Sequence, residues 1–125
     1  MNIELTKNIK ILLVLEELLL FMGSVILFGM ATSYGWWMFA LLFFLPDASF
    51  AGYLISTKVG SWFYNILHHK GIMIGLILAG YFAEIDLLLA VGIVFLGHSA
   101  FDRVFGYGLK FSDDFKHTHL GRIGN

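Results

Sequence analysis

The sequence contains no cysteine, which excludes a disulfide framework and a thiolate metal site. Its only proline is Pro46, and 14% of its 125 residues are charged, against about 25% in an average soluble domain. The net charge of -1 provides no basic excess of the kind that favours nucleic acid or an anionic lipid surface. We therefore expect no nucleic-acid partner, and any metal would need histidine, carboxylate, carbonyl or water ligands.

Hydrophobic residues are abundant instead. They make up 58% of the chain, and the mean hydropathy is +0.80, which is typical of membrane proteins. The sequence shows no repeat, low-complexity tract or linker, so we predict one domain over 1–125. The N-terminal apolar run lacks a small-residue cleavage site and is too long for a signal-peptide core, so we expect it to be a mature helix.

The apolar runs predict an all-α fold, an integral-membrane four-helix bundle. Its helices are predicted at about 9–30, 36–55, 60–83 and 86–105, with a polar tail at 106–125. Pro46 is expected to kink the second helix. For the third helix, the alternative is an interfacial helix up to His69 and a span from Gly71, but that span would be too short to cross comfortably.

The basic residues predict the orientation of this bundle. They fall on one side of the four-span layout, whereas the loops of the other side have none. The positive-inside rule therefore places both termini in the cytoplasm of a multi-pass protein of the cell (inner) membrane. The residues on that side are Lys7, Lys10, Lys58, Lys110, Lys116 and Arg122, with Arg103 close to it.

Ionisable residues recur at one depth of the bundle. With a rise of about 1.5 Å per residue, Glu16 lies about 10 Å from the cytoplasmic end of its helix. Asp47, His68 and His98 lie about 12 to 14 Å deep, and Asp102 lies one helical turn nearer the cytoplasm than His98. One such residue from each helix reaches nearly the same level, so we predict that these side chains converge in the cytoplasmic half.

The chemistry of this layer suggests a metal site. A lone charge at mid-membrane costs at least about 2.5 to 3.5 kcal/mol, so such groups pair, neutralise or ligate. Imidazole and carboxylate together suit a divalent metal such as zinc, iron or manganese. The predicted ligands are His68, His98 and Asp102, with Asp47 or Glu16 as a further ligand or base. The substrate of such a site would be a lipid or amphiphile.

Each of these residues also has a simpler interpretation. His98 and Asp102 could be a buried hydrogen-bonded pair, and Asp47 could satisfy the backbone at the kink. Glu16 and Glu17 cannot both face the core, so one of them would extend toward the cytoplasm. The glycines Gly23, Gly29, Gly75 and Gly97 are expected to allow close helix packing.

An ordered set of motifs carries a family resemblance. The motifs are Pro46-Asp47-x-Ser49-x-x-Gly52-Tyr53, Tyr64-Asn65-x-x-His68, His98-x-x-x-Asp102-Arg103-x-x-Gly106-Tyr107-Gly108-Leu109-Lys110 and Phe115-x-x-Thr118-His119-Leu120-Gly121. Over nearly the whole chain it resembles a family of small bacterial membrane proteins known as domain of unknown function 4260. The signature polar positions that this resemblance implies are Glu16, Asp47, Asn65, His68, His98, Asp102, Arg103 and His119.

Two of these positions extend the predicted site. Arg103 could orient a phosphate or carboxylate by a bidentate contact. Together with Asp47 and Glu16, it is a candidate catalytic residue. His119 joins the candidate metal ligands, in preference to His117, where the family more often has an acidic residue. A looser likeness, in pattern only, is to membrane-bound metal-dependent hydrolases.

Three functions remain open from the sequence. The first is an integral-membrane metal protein that acts as a hydrolase. The second is a small transporter, channel subunit or proton relay, which would require a homo-oligomer and polar residues in the outer half, where this chain has few. The third is a structural membrane protein whose polar groups only fix helix register.

Overall fold

The computed structural model describes residues 6–123, and within that range the fold is all-α apart from one small hairpin, as predicted. An antiparallel pair of two-residue strands forms the hairpin in the C-terminal tail. The elements are α1 (Lys7–Ala31), α2 (Trp36–Phe44), a 3-10 helix (Leu45–Leu54), α3 (Thr57–Leu67), α4 (Lys70–Phe82), α5 (Asp86–Val104), β1 (His117–Thr118) and β2 (Gly121–Arg122).

Three helical segments are long and apolar enough to cross a membrane. They are Lys7–Ala31, Trp36–Leu54 and Asp86–Val104. The remaining apolar helix, α4, has 13 residues and a length of about 20 Å, whereas a bilayer core is about 30 Å thick. The described chain thus has five α-helices instead of the four full spans that the sequence predicts.

The predicted third helix is broken at His68 and His69. His68 follows the last residue of α3 with a backbone φ of -116°, outside the helical range. His69 then caps α4, because its Nδ1 accepts a hydrogen bond of 3.1 Å from the backbone N–H of Ile72. A side-chain acceptor at this position satisfies one of the free N–H groups of a helix start, so the chain begins a new helix there.

The predicted second helix also changes character, at its proline. α2 ends at Phe44, and the next ten residues form a 3-10 helix that contains Pro46 in its first turn. Proline removes one backbone donor, and 3-10 runs beyond about four residues are uncommon. This 3-10 helix packs against α3, where a Cβ added to Gly52 would lie 3.0 Å from the Cα of Gly60. This close contact holds the 3-10 helix along α3, so that Asp47 lies near His68 at the end of α3.

α5 lies at the centre and packs against α1, α2 and α4. Its buried residues include Ala90, Ile93 and Val94. A Cβ added to Gly92 would lie 2.8 Å from the backbone nitrogen of Ile77 in α4, so only glycine allows this approach.

Of the glycines expected to allow close packing, Gly97 does so against Ser24, and Gly29 against Trp36. Gly23 and Gly75 would meet nothing within 4 Å, so the expectation is wrong for these two.

The polar tail is largely exposed, and it packs against the end of α3. The Asn65 amide donates to the carbonyl of Lys110 at 2.8 Å and accepts from its N–H at 2.7 Å. The ammonium of Lys110 lies 3.7 Å from the ring centre of Phe115 and 4.5 Å from that of Tyr64. Burial lowers the pKa of Lys110 to about 8. The paired amide therefore anchors residues 106–123 beside the end of α3.

Candidate metal centre

Four ionisable side chains meet where two helices are interrupted. Asp47 comes from the first turn of the 3-10 helix, His68 from the break between α3 and α4, and His98 and Asp102 from successive turns of α5. One ligand atom from each lies within 4.8 Å of all the others. The side chains of His68 and His98 are 0% and 4% exposed. We call these four residues the cluster.

The four histidine–carboxylate contacts of the cluster are 3.2 to 3.8 Å long. His68 Nε2 lies 3.2 Å from Asp102 Oδ2 and 3.8 Å from Asp47 Oδ1. His98 Nε2 lies 3.3 Å from Asp47 Oδ1 and 3.5 Å from Asp102 Oδ2. Ideal charged hydrogen bonds are shorter, about 2.7 to 2.9 Å. Ligands about 2.0 to 2.2 Å from a tetrahedral zinc ion would lie about 3.3 to 3.6 Å apart, a range that includes two of the four contacts. The spacing fits a shared ion.

The ring of His68 is fixed by its own helix. Its Nδ1 lies 2.8 Å from the carbonyl oxygen of Tyr64, and because a carbonyl only accepts, Nδ1 carries the proton. The ring stacks on that of Tyr64 with centroids 3.8 Å apart. Nε2 therefore faces the carboxylates, in the arrangement that metal-ligating histidines show when a carbonyl holds their other nitrogen.

Three imidazole nitrogens in the cluster are buried without a hydrogen-bond partner among residues 6–123. They are Nε2 of His68 and both ring nitrogens of His98. A buried polar atom left unpaired costs about 1 to 3 kcal/mol. A cation bound to the two Nε2 atoms and the carboxylates would remove much of that cost, so these residues fit a metal and could hold one.

Arg103 fixes the main chain next to the cluster through two hydrogen bonds. It donates from Nη2 to the carbonyl of His68 at 3.2 Å and from Nη1 to the carbonyl of Tyr107 at 2.9 Å. The hydroxyl of Tyr64 also donates to Asp102, at 3.2 Å. Both terminal nitrogens of Arg103 thus bind main-chain carbonyls and tie the helix break to α5.

Two predicted site residues do not reach the cluster. Glu16 is exposed, whereas Glu17 is buried and forms an ion pair with Lys70 at the start of α4. Adjacent residues of a helix point about 100° apart, so depth alone could not decide which glutamate faces inward. His119 lies in the tail, where its Nδ1 accepts a 2.7 Å hydrogen bond from the N–H of Leu109. The structure thus brings neither Glu16 nor His119 into the cluster.

Tyr64 was missed as a partner of the cluster. It lies four residues before His68, about one helical turn earlier, and that spacing places the two rings on one face. This spacing was the available signal, since Tyr64 both stacks on His68 and donates to Asp102. Asn65 was identified only through the family motif.

Comparison with known proteins identifies a family and nothing further. The model of the family described as "Domain of unknown function (DUF4260)" matches residues 10–123, which include all four cluster residues. No curated protein and no solved structure matches the chain. The resemblance inferred from the motifs is thereby confirmed, and the chain belongs to the DUF4260 family.

Proposed function

We propose that this protein is an integral-membrane metal protein that hydrolyses an ester of a lipid or other amphiphile. One divalent cation, zinc, iron or manganese, is held by His68, His98 and Asp102, with Asp47 as a fourth ligand. The observation that carries the proposal is the set of unpartnered imidazole nitrogens directed at two carboxylates. Two nitrogen and two carboxylate donors suit these metals.

The exposure of the ligands suggests separate roles. The side chains of His68, His98 and Asp102 are between 0% and 15% exposed, whereas that of Asp47 is 41% exposed. Asp47 also makes the longest contact of the cluster, 3.8 Å to His68. It is therefore the ligand best able to leave the ion, open a coordination position and act as a base.

Asp47 would carry the proton through the reaction. A bound divalent metal lowers the pKa of water and polarises an ester oxygen. Asp47 accepts one proton from the attacking water as the water oxygen bonds to the ester carbon or phosphorus. The bond to the leaving oxygen breaks, and Asp47 returns the proton to that oxygen. The products are an acid and an alcohol, so atoms and charges balance.

An apolar cavity beside the cluster supports an amphiphilic substrate. It has a volume of about 580 Å³ and lies between the 3-10 helix and α3. Two of its lining residues are Ala48 and Leu67, which are the chain neighbours of Asp47 and His68. An acyl chain in this cavity would bring the attached ester next to the cluster.

We further propose a topology in which α4 is a half-span. The ion pair of Glu17 and Lys70 sets the start of α4 about 10 Å beyond Lys10 of α1, inside the membrane and away from its cytoplasmic surface. The hydroxyl of Ser33 donates to Asp86 at 2.8 Å, so the end of α1 and the start of α5 share the opposite face. α4 then runs from inside the membrane to that outer face, and both termini lie in the cytoplasm.

The absence of cysteine makes this topology testable. Ser33→Cys and Ser112→Cys would each introduce a unique thiol, in the α1–α2 turn and in the tail. An impermeant maleimide added to intact cells should label the first and leave the second unlabelled until lysis. The reverse pattern would contradict cytoplasmic termini.

The metal is tested by composition. The protein is purified in mild detergent without a histidine tag, and bound metal is measured by elemental mass spectrometry. Wild type should hold about one equivalent, whereas His68→Ala and His98→Ala should hold none. The matched control is His117→Ala, because His117 pairs with Asp113 at an exposed position in the tail. This variant should keep the metal.

Folding of each variant is checked by circular dichroism and gel filtration. A folded wild type that holds no metal after supplementation would contradict the proposal and favour a proton relay in the same cluster.

Hydrolysis is tested on a panel of carboxylic and phosphate esters with long and short chains. Asp47→Asn should lower turnover at least about 100-fold, the usual scale for loss of a general base. Ala51→Trp, which narrows the apolar cavity, should slow long-chain esters while short soluble esters are unaffected. Equal turnover by wild type and Asp47→Asn would contradict the role of Asp47.

A further inference from the structure

A second cavity, polar and separate from the cluster, lies on the other side of Arg103. It has a volume of about 280 Å³, opens to the surface, and is lined by residues of α1, the start of α4, the end of α5 and the tail. Its polar lining residues are Glu17, His69, Lys70, Arg103 and His119. Nothing in the proposed metal chemistry uses this cavity.

The charges of the lining favour an anion. Lys70 and Arg103 contribute two positive charges and Glu17 contributes one negative charge, so the net formal charge is about +1. The pKa of His119 is lowered, first by burial and then by the positive charges of Arg103 and Lys70. The lining therefore carries a net positive formal charge, which favours an anion.

The histidines add neutral donors. Nδ1 of His119 accepts from the N–H of Leu109, and Nδ1 of His69 accepts from the N–H of Ile72. In each neutral ring the proton must then be on Nε2, which is a donor. Arg103 uses only some of its five N–H groups on carbonyls. Several donors around one small cavity suit a group with several acceptor oxygens.

Glu17 adds one specific requirement. Its Oε2 is buried and has no hydrogen-bond partner in the described part of the chain, while Oε1 pairs with Lys70. The residue as a whole is 7% exposed. A buried carboxylate oxygen needs a donor, and an anion without a hydroxyl would be repelled by it.

We propose that this cavity binds a phosphate group that retains one O–H. Its phosphoryl oxygens accept from Arg103, Lys70 and the two histidines, and its hydroxyl donates to Glu17. Inorganic hydrogen phosphate and the monoester headgroup of phosphatidic acid share this chemistry. A phosphodiester lacks the hydroxyl and fits less well.

The ligand is tested with three probes on detergent-purified wild type. Inorganic phosphate, short-chain phosphatidic acid and short-chain phosphatidylmethanol, an anionic diester, are titrated at pH 6. Near that pH a phosphate monoester keeps its second proton in a large fraction of molecules, since the pKa is about 6. A chelator is present throughout, so any metal in the cluster cannot bind the phosphate.

We expect saturable 1:1 binding of a monoester by native mass spectrometry and calorimetry, and binding at least tenfold weaker for the diester. If phosphatidic acid binds and inorganic phosphate does not, the ligand is a lipid headgroup. If both bind, the cavity takes the free ion as well. Equal binding of monoester and diester, or no saturable binding of any probe, would overturn the proposal.

Two variants locate the binding in the cavity. His119→Ala removes one donor, and His69→Asn removes another while it keeps an acceptor for the start of α4. Each should weaken phosphate binding about tenfold or more, the effect of one hydrogen bond to a charged group. His117→Ala, two residues from His119, should bind as wild type does.

The same loss in His117→Ala, or no loss in either cavity variant, would overturn the assignment. Because the metal is chelated in these titrations, their failure is separate from failure of the metal proposal.

Discussion

Nδ1 of His68 donates to the carbonyl oxygen of Tyr64, 2.8 Å away and one helical turn earlier. The bond fixes the imidazole at the point where α3 ends and directs Nε2 at Asp102. Arg103 binds the carbonyl of His68 from the other side, at 3.2 Å. The helix break is thus held at both its side chain and its main chain, which pre-positions one ligand of the cluster.

Single substitutions can show which residues bind the metal. Glu16→Ala and His119→Ala should both keep the bound metal, because neither side chain reaches the cluster. His98→Ala should lose it. Elemental mass spectrometry of the folded variants measures each outcome. Loss of metal in His119→Ala would return the tail histidine to the ligand set.

The two adjacent glutamates should differ in their effect on stability. Glu17→Ala leaves the Lys70 ammonium half-buried without its partner, so we expect a loss of about 3 kcal/mol in the free energy of unfolding. Glu16→Ala should change it by less than about 0.5 kcal/mol. Equilibrium unfolding in mixed detergent micelles measures both.

The double variant Glu17→Ala/Lys70→Met removes both charges and should recover part of the loss. Equal effects of Glu16→Ala and Glu17→Ala would contradict the inward orientation of Glu17.

Close packing of α5 on α4 predicts a contrast between two glycines. Gly92→Ala would place a methyl group 2.8 Å from the backbone nitrogen of Ile77, so the helices must separate. We expect a loss of about 1 to 3 kcal/mol in unfolding free energy, as for other overpacked sites. Gly75→Ala meets nothing within 4 Å and should be neutral or stabilising by up to about 1 kcal/mol.

Thermal unfolding of the two variants in the same detergent checks this contrast. A Gly92→Ala protein as stable as wild type would show that the α4–α5 contact is looser than described.

Docking of the tail should weaken in mild acid. The pKa of His119 in the folded protein lies below its usual value of 6.5, because burial and the charges of Arg103 and Lys70 disfavour the imidazolium. The undocked tail therefore binds the proton more tightly than the docked tail does. Docking becomes less favourable as the pH falls through 6.5. The N–H of Leu109 donates to His119, so its protection factor against hydrogen exchange should fall. The protection factor already corrects for the slower intrinsic exchange in acid.

Asp113 and Asp114 of the tail titrate at lower pH than His119. The pKa values of Asp113 and Asp114 are lowered below 3.8 by hydrogen bonds to His117 and Arg122, so their contribution is lost only in stronger acid. In His119→Ala the change just below pH 6.5 should disappear. Persistence of that change in the variant would assign it to another residue.

The sequence by itself determined the membrane character, the family and the pairing of His98 with Asp102. Apolar run length is a property of local sequence, and residues four apart in one helix share a face wherever the helix packs. The depth calculation brought Asp47, His68 and His98 to nearly one level, although it treated 36–55 and 60–83 as continuous α-helices that the structure interrupts. These predictions depend on geometry within single helices.

Only the tertiary structure decided the rest. Which of Glu16 and Glu17 faces inward depends on the rotation of α1 against α5, which packing sets and depth does not. The helix break at His68 follows from competition among a histidine cap, the Arg103 contact and the close fit of α3 on the 3-10 helix. His119 lies away from the cluster because Asn65 anchors the tail through the backbone of Lys110, a contact across 45 residues of chain that no local pattern encodes.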